Sequence, residues 1–326
     1  MNKKDDKLAK KSLFKNFRLT TQLTILIVVL AMWIFLALTT DTFLTRENIA
    51  NLFRQTSLLG IVAVGLTFVI ISGHSDLSMG ATIGVSGIIT AQLLRGGMPL
   101  IVVILAAIAL GIAIGTVNGL VIIKGEVPAF IATLSTMTAL RGVAYLLSNG
   151  QTIAGLPDYF NKFSGANIWI IPSFVFILII VLIIGHFVLS RTVFGRNLYA
   201  VGSNKEVAAL SGIKVYPMVQ TAYMISGMLA ALAGVLLTSR LASGQPMAGN
   251  GYDLQCVTAV VIGGGSLSGG KGSVMGTFIG TLLIYTLYNG GNLLNVNAFW
   301  LQIVIGVMTI LAVFIDGLRR RRASRA

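Results

Sequence analysis

Hydrophobic residues run along this chain in blocks, each about as long as a bilayer crossing. Stretches free of Asp, Glu, Lys and Arg number 22 residues between Arg18 and Asp41, 21 between Arg54 and Asp76, and 28 between Arg95 and Lys124. Further stretches number 28 between Lys162 and Arg191, 25 between Lys214 and Arg240, and 44 between Lys271 and Asp316. About 20 apolar helical residues cross a ~30 Å hydrocarbon core. The pattern predicts helices near residues 21–39, 57–73, 77–94, 99–123, 127–148, 167–189, 216–239, 252–265, 273–289 and 298–315, an all-α polytopic membrane fold with about ten crossings. The span at 252–265 ends in Gly263, Gly264 and Gly265 and either crosses or re-enters as a hairpin. Parity favours crossing, because one crossing fewer would put the Arg319 to Arg322 cluster outside. Residues 42–55 place Phe43, Leu44, Ile49, Leu52 and Phe53 at roughly helical spacing, which predicts an amphipathic helix on the outer surface.

Composition excludes a water-soluble domain. Of 326 residues, 55 % are hydrophobic and 10 % charged, with mean hydropathy +0.87, against about 25 % charged in soluble domains. The net charge of +14 has no soluble basic face with interleaved aromatics, so nucleic acid is not a predicted partner. Seven Lys/Arg fall in the first 18 residues and five in the last eight, flanking apolar spans. Positive charge there marks the cytoplasmic side, so both termini are placed in the cytoplasm. The apolar run from Thr21 to Leu38 is longer than a signal-peptide core and stays as the first span. The predicted organisation is a basic segment 1–20, a membrane domain 21–317 containing a cytoplasmic loop 190–214, and a basic tail 318–326.

Glycine spacing changes the picture of packing. Gly80 with Gly84, the run Gly111, Gly115 and Gly119, and Gly276 with Gly280 repeat at four residues, the spacing that lets helix backbones approach closely in lipid. Gly80-Ala-Thr-Ile-Gly84 and Gly276-Thr-Phe-Ile-Gly280 also resemble each other, a weak hint of internal repetition.

Most chemistry is excluded by what the spans lack. Nearly every acid falls at a predicted boundary, so the interior offers an ion-coupled carrier no titrating group. Arg141 is the exception, about 10 Å from the outer end of its span at ~1.5 Å per residue; it either snorkels outward or sits beside a pathway. His74 and His186 lie 112 residues apart without Cys or Glu at ligand spacing, so no metal site is predicted, and no hydrolase motif marks a catalytic residue. The lone Cys256 excludes an intrachain disulfide. Gly265 to Ser273 approaches a phosphate loop, but Gly272 stands where the Mg²⁺-holding hydroxyl belongs, so a flexible cytoplasmic loop is expected. Uphill transport would then draw its energy from another polypeptide.

The connection 190–214 is the longest internal one. Asn204 can cap a short helix over residues 205–211, with Glu206 in its first turn and Gly212 as its stop. So short a helix needs docking to be stable.

The segment Gly195-Arg196…Tyr199-Ala200-x-Gly202-x-Asn204-x-x-x-Ala208-x-x-Ser211-Gly212-Ile213 resembles the coupling segment of sugar-type ABC importer permeases, the ribose, xylose, arabinose and galactoside group. Asp76-Leu77-Ser78-x-Gly80, Val127-Pro128-Ala129-Phe130-Ile131-Ala132-Thr133-Leu134 with Arg141-Gly142, the stretch from Gln245 to Leu254 and the Gly263 to Gly272 loop are similar to the same family, in family order from Asn48 to Asp316.

The resemblance implies a cobalamin-importer-like (type II) fold in the bacterial inner membrane. It implies a permease dimer, homo- or heteromeric, surrounded by lipid. Two copies of a cytoplasmic ATPase, or one tandem-cassette chain, would bind ATP and Mg, and an extracytoplasmic sugar-binding protein would deliver solute. No cofactor would bind this chain. The coupling role falls on Arg196, Gly202, Asn204, Glu206, Ala208, Gly212 and Ile213. A polar, uncharged pathway for a neutral sugar would draw on Asn118, Thr133, Thr136, Asn149, Asn289 and Asn292, residue types that also serve as interhelical glue. Where the family has a glycine and a hydrophobic residue before Asp76, this chain has His74-Ser75, so His74 either tunes the response or is a bystander. The alternatives are an importer for a nucleoside, polyol or autoinducer-2, a self-sufficient carrier or facilitator, and a membrane enzyme.

Overall fold

A computed structural model describes residues 21–168 and 171–323; the predicted basic segment 1–20 and the last three residues of the tail lie outside the described residues. The helices are α1 (Thr21–Thr39), α2 (Arg46–Ile71), α3 (Met79–Arg95), α4 (Leu100–Ile123), α5 (Ala129–Ser148), α6 (Asp158–Phe163), α7 (Ser173–Arg191), α8 (Val193–Ser203), α9 (Lys205–Leu210), α10 (Val215–Leu241), α11 (Tyr252–Ile262), α12 (Val274–Leu293) and α13 (Ala298–Ala323). The strands β1 (Asn167–Ile168) and β2 (Ile171–Pro172) form a small antiparallel pair before α7.

Two helices are the pillars. The most apolar windows of α2 and α10 are 89 % and 72 % buried, whereas those of α1, α4, α5, α7 and α13 are between 11 % and 33 % buried. The outer helices turn Leu38, Ile101, Leu146, Phe299 and Ile310 outward. In water such a surface would be an aggregation liability; in a bilayer it faces solvent of its own polarity. Seven described helices are long and apolar enough to cross a membrane: α1, α2, α4, α5, α7, α10 and the Ala298–Leu318 part of α13. Of the other predicted spans, α3 has 17 residues, α11 has 11, and α12 is diluted by glycine, threonine and asparagine.

The glycine spacing marks real crossings. A Cβ added to Gly111 would lie 2.2 Å from the Gly227 carbonyl oxygen, and one on Gly227 would lie 2.1 Å from that of Gly111. One on Gly115 would lie 2.2 Å from the Tyr223 carbonyl oxygen, so α4 and α10 touch backbone to backbone. Gly276 and Gly280 seat α12 against Gly263 and Ala259 in the same way.

Three expectations are corrected. The surface helix at 42–55 is instead the start of α2, capped by Thr45; Phe43 and Leu52 are buried, and Trp33 meets Phe43 edge-on at 5.7 Å. Packing on α1 wins over lying in the interface. The span expected from 167 begins at Ser173, because Pro172 cannot donate a helical hydrogen bond and 167–172 fold as the strand pair. Residues 252–265 are not one crossing helix. From Gly244, which pairs with Ile153, the chain runs non-helically beside α3 to Gly251, and only then do the 11 residues of α11 begin.

Candidate translocation core and coupling surface

Non-helical backbone at membrane depth is tolerated only where protein or water meets its polar groups. Residues 245–251 meet that demand in two ways. Glycines on α3 let the strip lie against the helix, since a Cβ on Gly80 would be 2.5 Å from the Gly249 carbonyl oxygen and one on Gly84 3.0 Å from that of Pro246. Arg141 of α5 then donates from Nη1 to the Pro246 carbonyl at 2.9 Å and the Ala248 carbonyl at 3.0 Å. Nη1 of Arg141 is thus held on two backbone carbonyls of the strip, while the side chain as a whole is half-buried.

A second break, residues 72–78 between α2 and α3, carries a buried carboxylate. Asp76 lies between the ends of α2 and α3, at a helix boundary as the sequence suggested, but it is 1 % exposed and so enclosed by the protein. Asp76 Oδ1 accepts from the Ser78 amide at 2.9 Å and the Ser78 hydroxyl at 2.6 Å, while Oδ2 accepts from Ser226 Oγ of α10 at 2.8 Å. Three donors thus satisfy the buried carboxyl group, and among the described residues it has no ion-pair partner. The network continues outward: Asn118 Nδ2 of α4 donates to Ser78 Oγ at 2.9 Å, Thr136 Oγ1 of α5 donates to Asn118 Oδ1 at 2.7 Å, and Tyr223 Oη of α10 donates to the Ser75 carbonyl at 2.8 Å. Three helices, α4, α5 and α10, therefore meet the break between α2 and α3 through polar bonds.

The third feature is the connection 190–214, where two helices form in place of the single predicted one. Thr192 caps α8 by accepting from the Gly195 amide at 3.2 Å, and Asn204 Oδ1 caps α9 by accepting from the amides of Glu206 and Val207 at 3.0 Å each. Gly212 ends α9 at φ +81°, with the Ile213 amide donating to the Ala208 carbonyl at 3.0 Å. Sequence reasoning missed α8 because its face is set by tertiary contact: Leu198 and Val201 are buried and Phe194 stacks on Phe68 of α2 at 6.4 Å.

At Gly202 this pair is clamped. A Cβ there would lie 1.7 Å from the Ile71 carbonyl oxygen and 2.7 Å from the Gly270 amide nitrogen. The Gly270 amide donates to that same Ile71 carbonyl at 2.9 Å, and Tyr199 Oη donates to the Gly272 carbonyl at 2.8 Å. The 263–272 loop, expected to be flexible, is instead bonded to the end of α2 and to α8, with Ser266 Oγ also donating to Asp316 at 2.9 Å. Burial holds the Tyr199 hydroxyl above its ordinary pKa, so it stays protonated as a donor.

Among the seven residues assigned to coupling, Ala208 is buried and Gly202 and Ile213 are partly buried against the bundle, while Arg196, Asn204, Glu206 and Gly212 are exposed. Val207 at 56 % and Leu210 at 89 % exposure add apolar projections that the sequence reasoning did not select. A short helix whose apolar residues point both in and out was the signal available.

The pathway residues are only partly brought together. Asn118 and Thr136 are bonded, and Thr133, one turn earlier on α5, is buried and donates to the Ala129 carbonyl at 2.8 Å. Asn149 ends α5 at φ +50° and lines an open polar pocket of about 460 Å³ with Gln92 and Arg95. Asn289 pairs with Asn48, the amides donating to each other's oxygens at 2.6 and 3.1 Å, and Asn292 is exposed one turn on. These three lie away from the Asp76 network. His74 Nδ1 sits 3.0 Å from the Ser72 carbonyl oxygen, and its ring meets Tyr223 edge-on at 6.4 Å. Among the described residues no cluster of His, Cys, Asp and Glu could hold a metal ion.

The family described as branched-chain amino acid transport system / permease component matches residues 48–313. The chain is 42 % identical to the ribose import permease protein of Bacillus subtilis (strain 168) over 87 % of its length and 88 % of that protein's. It is 40 % identical to the ribose import permease protein of Escherichia coli (strain K12), covering 89 % and 92 % of the two chains. It is 34 % identical to the xylose transport system permease protein of the same strain, covering 90 % and 91 %. No solved structure matches. With that family match over most of its length and its outward apolar helices, the chain belongs to the permease family of ABC importers, as a multi-pass inner-membrane protein of the sugar-importer group.

Proposed function

We propose that this chain forms the translocation pathway of an ATP-driven importer for a neutral monosaccharide, a pentose or hexose such as ribose, xylose, arabinose or galactose, with ribose first. The observation that carries the reading is the 42 % identity to a ribose import permease over 87 % of the chain. In this reading ten crossings are made by α1 to α5, α7, α10, the strip 245–251 joined to α11, α12 and α13, in a type II fold. Both termini and the α8–α9 pair lie in the cytoplasm. A second permease, identical or different, completes the pathway, a sugar-binding protein delivers solute from outside, and a pair of ATPase domains binds ATP and Mg. The chain itself hydrolyses nothing and holds no cofactor.

Force enters at α9. Glu206, Val207 and Leu210 face outward to meet the ATPase, and Ala208 transmits their movement inward. Arg196 and Asn204 edge that surface, while Gly212 and Ile213 hinge it to α10. Because Gly202 is clamped to Ile71 and Gly270, a shift of α8 moves the ends of α2 and α12 together, and with them the break that holds Asp76. The bonds from Asp76 to Ser226 and from Ser78 to Asn118 then tie that break to α10 and α4, with Thr136 adding α5. Thr133, Asn149, Asn289 and Asn292 are assigned to the route on polarity.

The test is labelled ribose uptake into proteoliposomes holding the permease and its ATPase, with the binding protein outside. Accumulation that requires enclosed ATP supports the proposal. Uphill accumulation by the permease alone under a proton gradient overturns it, and a binding protein that takes a nucleoside, a polyol or autoinducer-2 in preference to any monosaccharide overturns the sugar assignment.

A further inference from the structure

Arg141 and Asp253 face the same stretch of α3 and do not touch. A Cβ on Gly84 would lie 3.1 Å from Arg141 Nη1, and one on Gly80 would lie 3.6 Å from Asp253 Oδ1. Residues four apart on a helix have Cβ positions about 5–6 Å apart, so guanidinium and carboxylate stand roughly one helical turn from each other. Asp253 is within electrostatic reach of Arg141, yet among the described residues the two form no direct ion pair.

Each also has unused hydrogen-bonding capacity. Arg141 uses Nη1 on the strip carbonyls, and among the described residues Nη2 and Nε have no partner. The Asp253 carboxylate, in the first turn of α11, has none among them either. Both residues are partly exposed; Asp253 lies in the first turn of α11 and Arg141 in mid-α5 facing the strip 245–251. Charged groups on a membrane bundle that are left open beside a broken helix mark a solute route more than a packing contact.

We infer that Arg141 and Asp253 are the pair that discriminates the solute, Arg141 donating to one hydroxyl oxygen and Asp253 accepting from a hydroxyl. One bridging hydroxyl with two hydrogen bonds of ~2.8 Å at a roughly tetrahedral angle spans about 4.6 Å, and a vicinal diol spans more. The pair has no net charge, so it favours a neutral polyhydroxylated solute over an ion. A hydroxyl donates and accepts at once, which is what an open cation and an open anion require. This rests on the monosaccharide reading above and assigns the residues that read the sugar.

The test compares import of ribose with import of its singly deoxygenated analogues, in proteoliposomes holding the complete transporter and the same binding protein for wild type and Asp253→Asn. Taking the ratio of the two sugars on the same vesicles cancels differences in assembly, and using one binding protein cancels its own selectivity. A site built to bond a hydroxyl rejects analogues lacking it. The proposal expects wild type to favour ribose over at least one analogue by about tenfold more than D253N does. An unchanged ratio, with both sugars slowed equally, overturns the assignment while leaving the sugar reading intact. Absence of ribose import by wild type overturns both. Should D253N assemble no transporter, Asp253→Glu decides: its longer arm changes which analogue is most disfavoured, and a wild-type pattern overturns the proposal.

Discussion

Replacing Gly227 by alanine tests the backbone crossing on which the bundle is built. The new Cβ would lie 2.1 Å from the Gly111 carbonyl oxygen and 3.0 Å from its carbonyl carbon, where ordinary contact begins at 3.4 Å. The shortfall against the oxygen is about 1.3 Å, and because the obstacle is backbone no rotamer change relieves it. Overpacking of this kind costs about 1–3 kcal/mol. The adjacent Ser226 also moves, straining its 2.8 Å bond to Asp76, and a bond to a charged group contributes about 1.5–3 kcal/mol. Together these predict a loss of about 2.5–6 kcal/mol. Gly142→Ala on α5 is the control, since its Cβ would meet nothing within 4 Å; it should range from neutral to about 1 kcal/mol stabilising through helix propensity. Reversible unfolding of purified protein in mixed micelles, followed by circular dichroism, measures both. A Gly227→Ala variant within about 0.5 kcal/mol of wild type, or a Gly142→Ala variant as damaged as Gly227→Ala, would refute the crossing.

Three further outcomes follow from the same geometry. Asn204→Ala removes the acceptor for two amides at the start of α9 and should destabilise that helix by about 1 kcal/mol, read as weaker pull-down of the cognate ATPase with the bundle's melting unchanged. Arg141→Met leaves the Pro246 and Ala248 carbonyls without their donor and should cost about 2–4 kcal/mol in micellar unfolding, with Arg141→Lys recovering part of it. Burial, with Lys205 nearby, holds His74 below its ordinary pKa of 6.5 despite its bond to the Ser72 carbonyl. Between the two values the unfolded chain binds more protons, so His74's contribution is complete above pH 6.5 and is lost as pH falls through the lower value. His74→Gln should therefore flatten the acid side of the stability curve.

The parts of the fold governed by local pattern were legible. The first span is found at Thr21–Thr39 as predicted, because a charge-free apolar run has one solution in a bilayer. The four-residue glycine spacing foretold close backbone packing, though not that α4 meets α10, and the Asn204 side chain foretold its cap. What was missed depends on partners distant in sequence. Amphipathicity at 42–55 is the same whether the apolar face meets lipid or Trp33, so its merger into α2 was not readable. Residues 245–251 carry no signal for a non-helical strip of turns packed on α3, since the glycines that receive it and the arginine that satisfies it lie on α3 and α5. Asp253 was legible as a boundary acid, since it falls in the first turn of α11, but its approach to Gly80 of α3 was not. The Asn and Thr candidates scattered because polarity alone does not separate a network member such as Asn118 from a helix-end residue such as Asn149.

The central claim is that force from a partner ATPase enters through α8 and α9 and reaches the spans across Gly202. The direct measurement is sugar imported per ATP hydrolysed by the reconstituted transporter, wild type against Gly202→Val, with assembly checked by co-purification. A side chain at a position where a Cβ would sit 1.7 Å from the Ile71 carbonyl oxygen must part α8 from α2. The account predicts that the ATPase still binds and turns over while import per ATP falls at least tenfold. An assembled Gly202→Val transporter that imports as much sugar per ATP as wild type would contradict it.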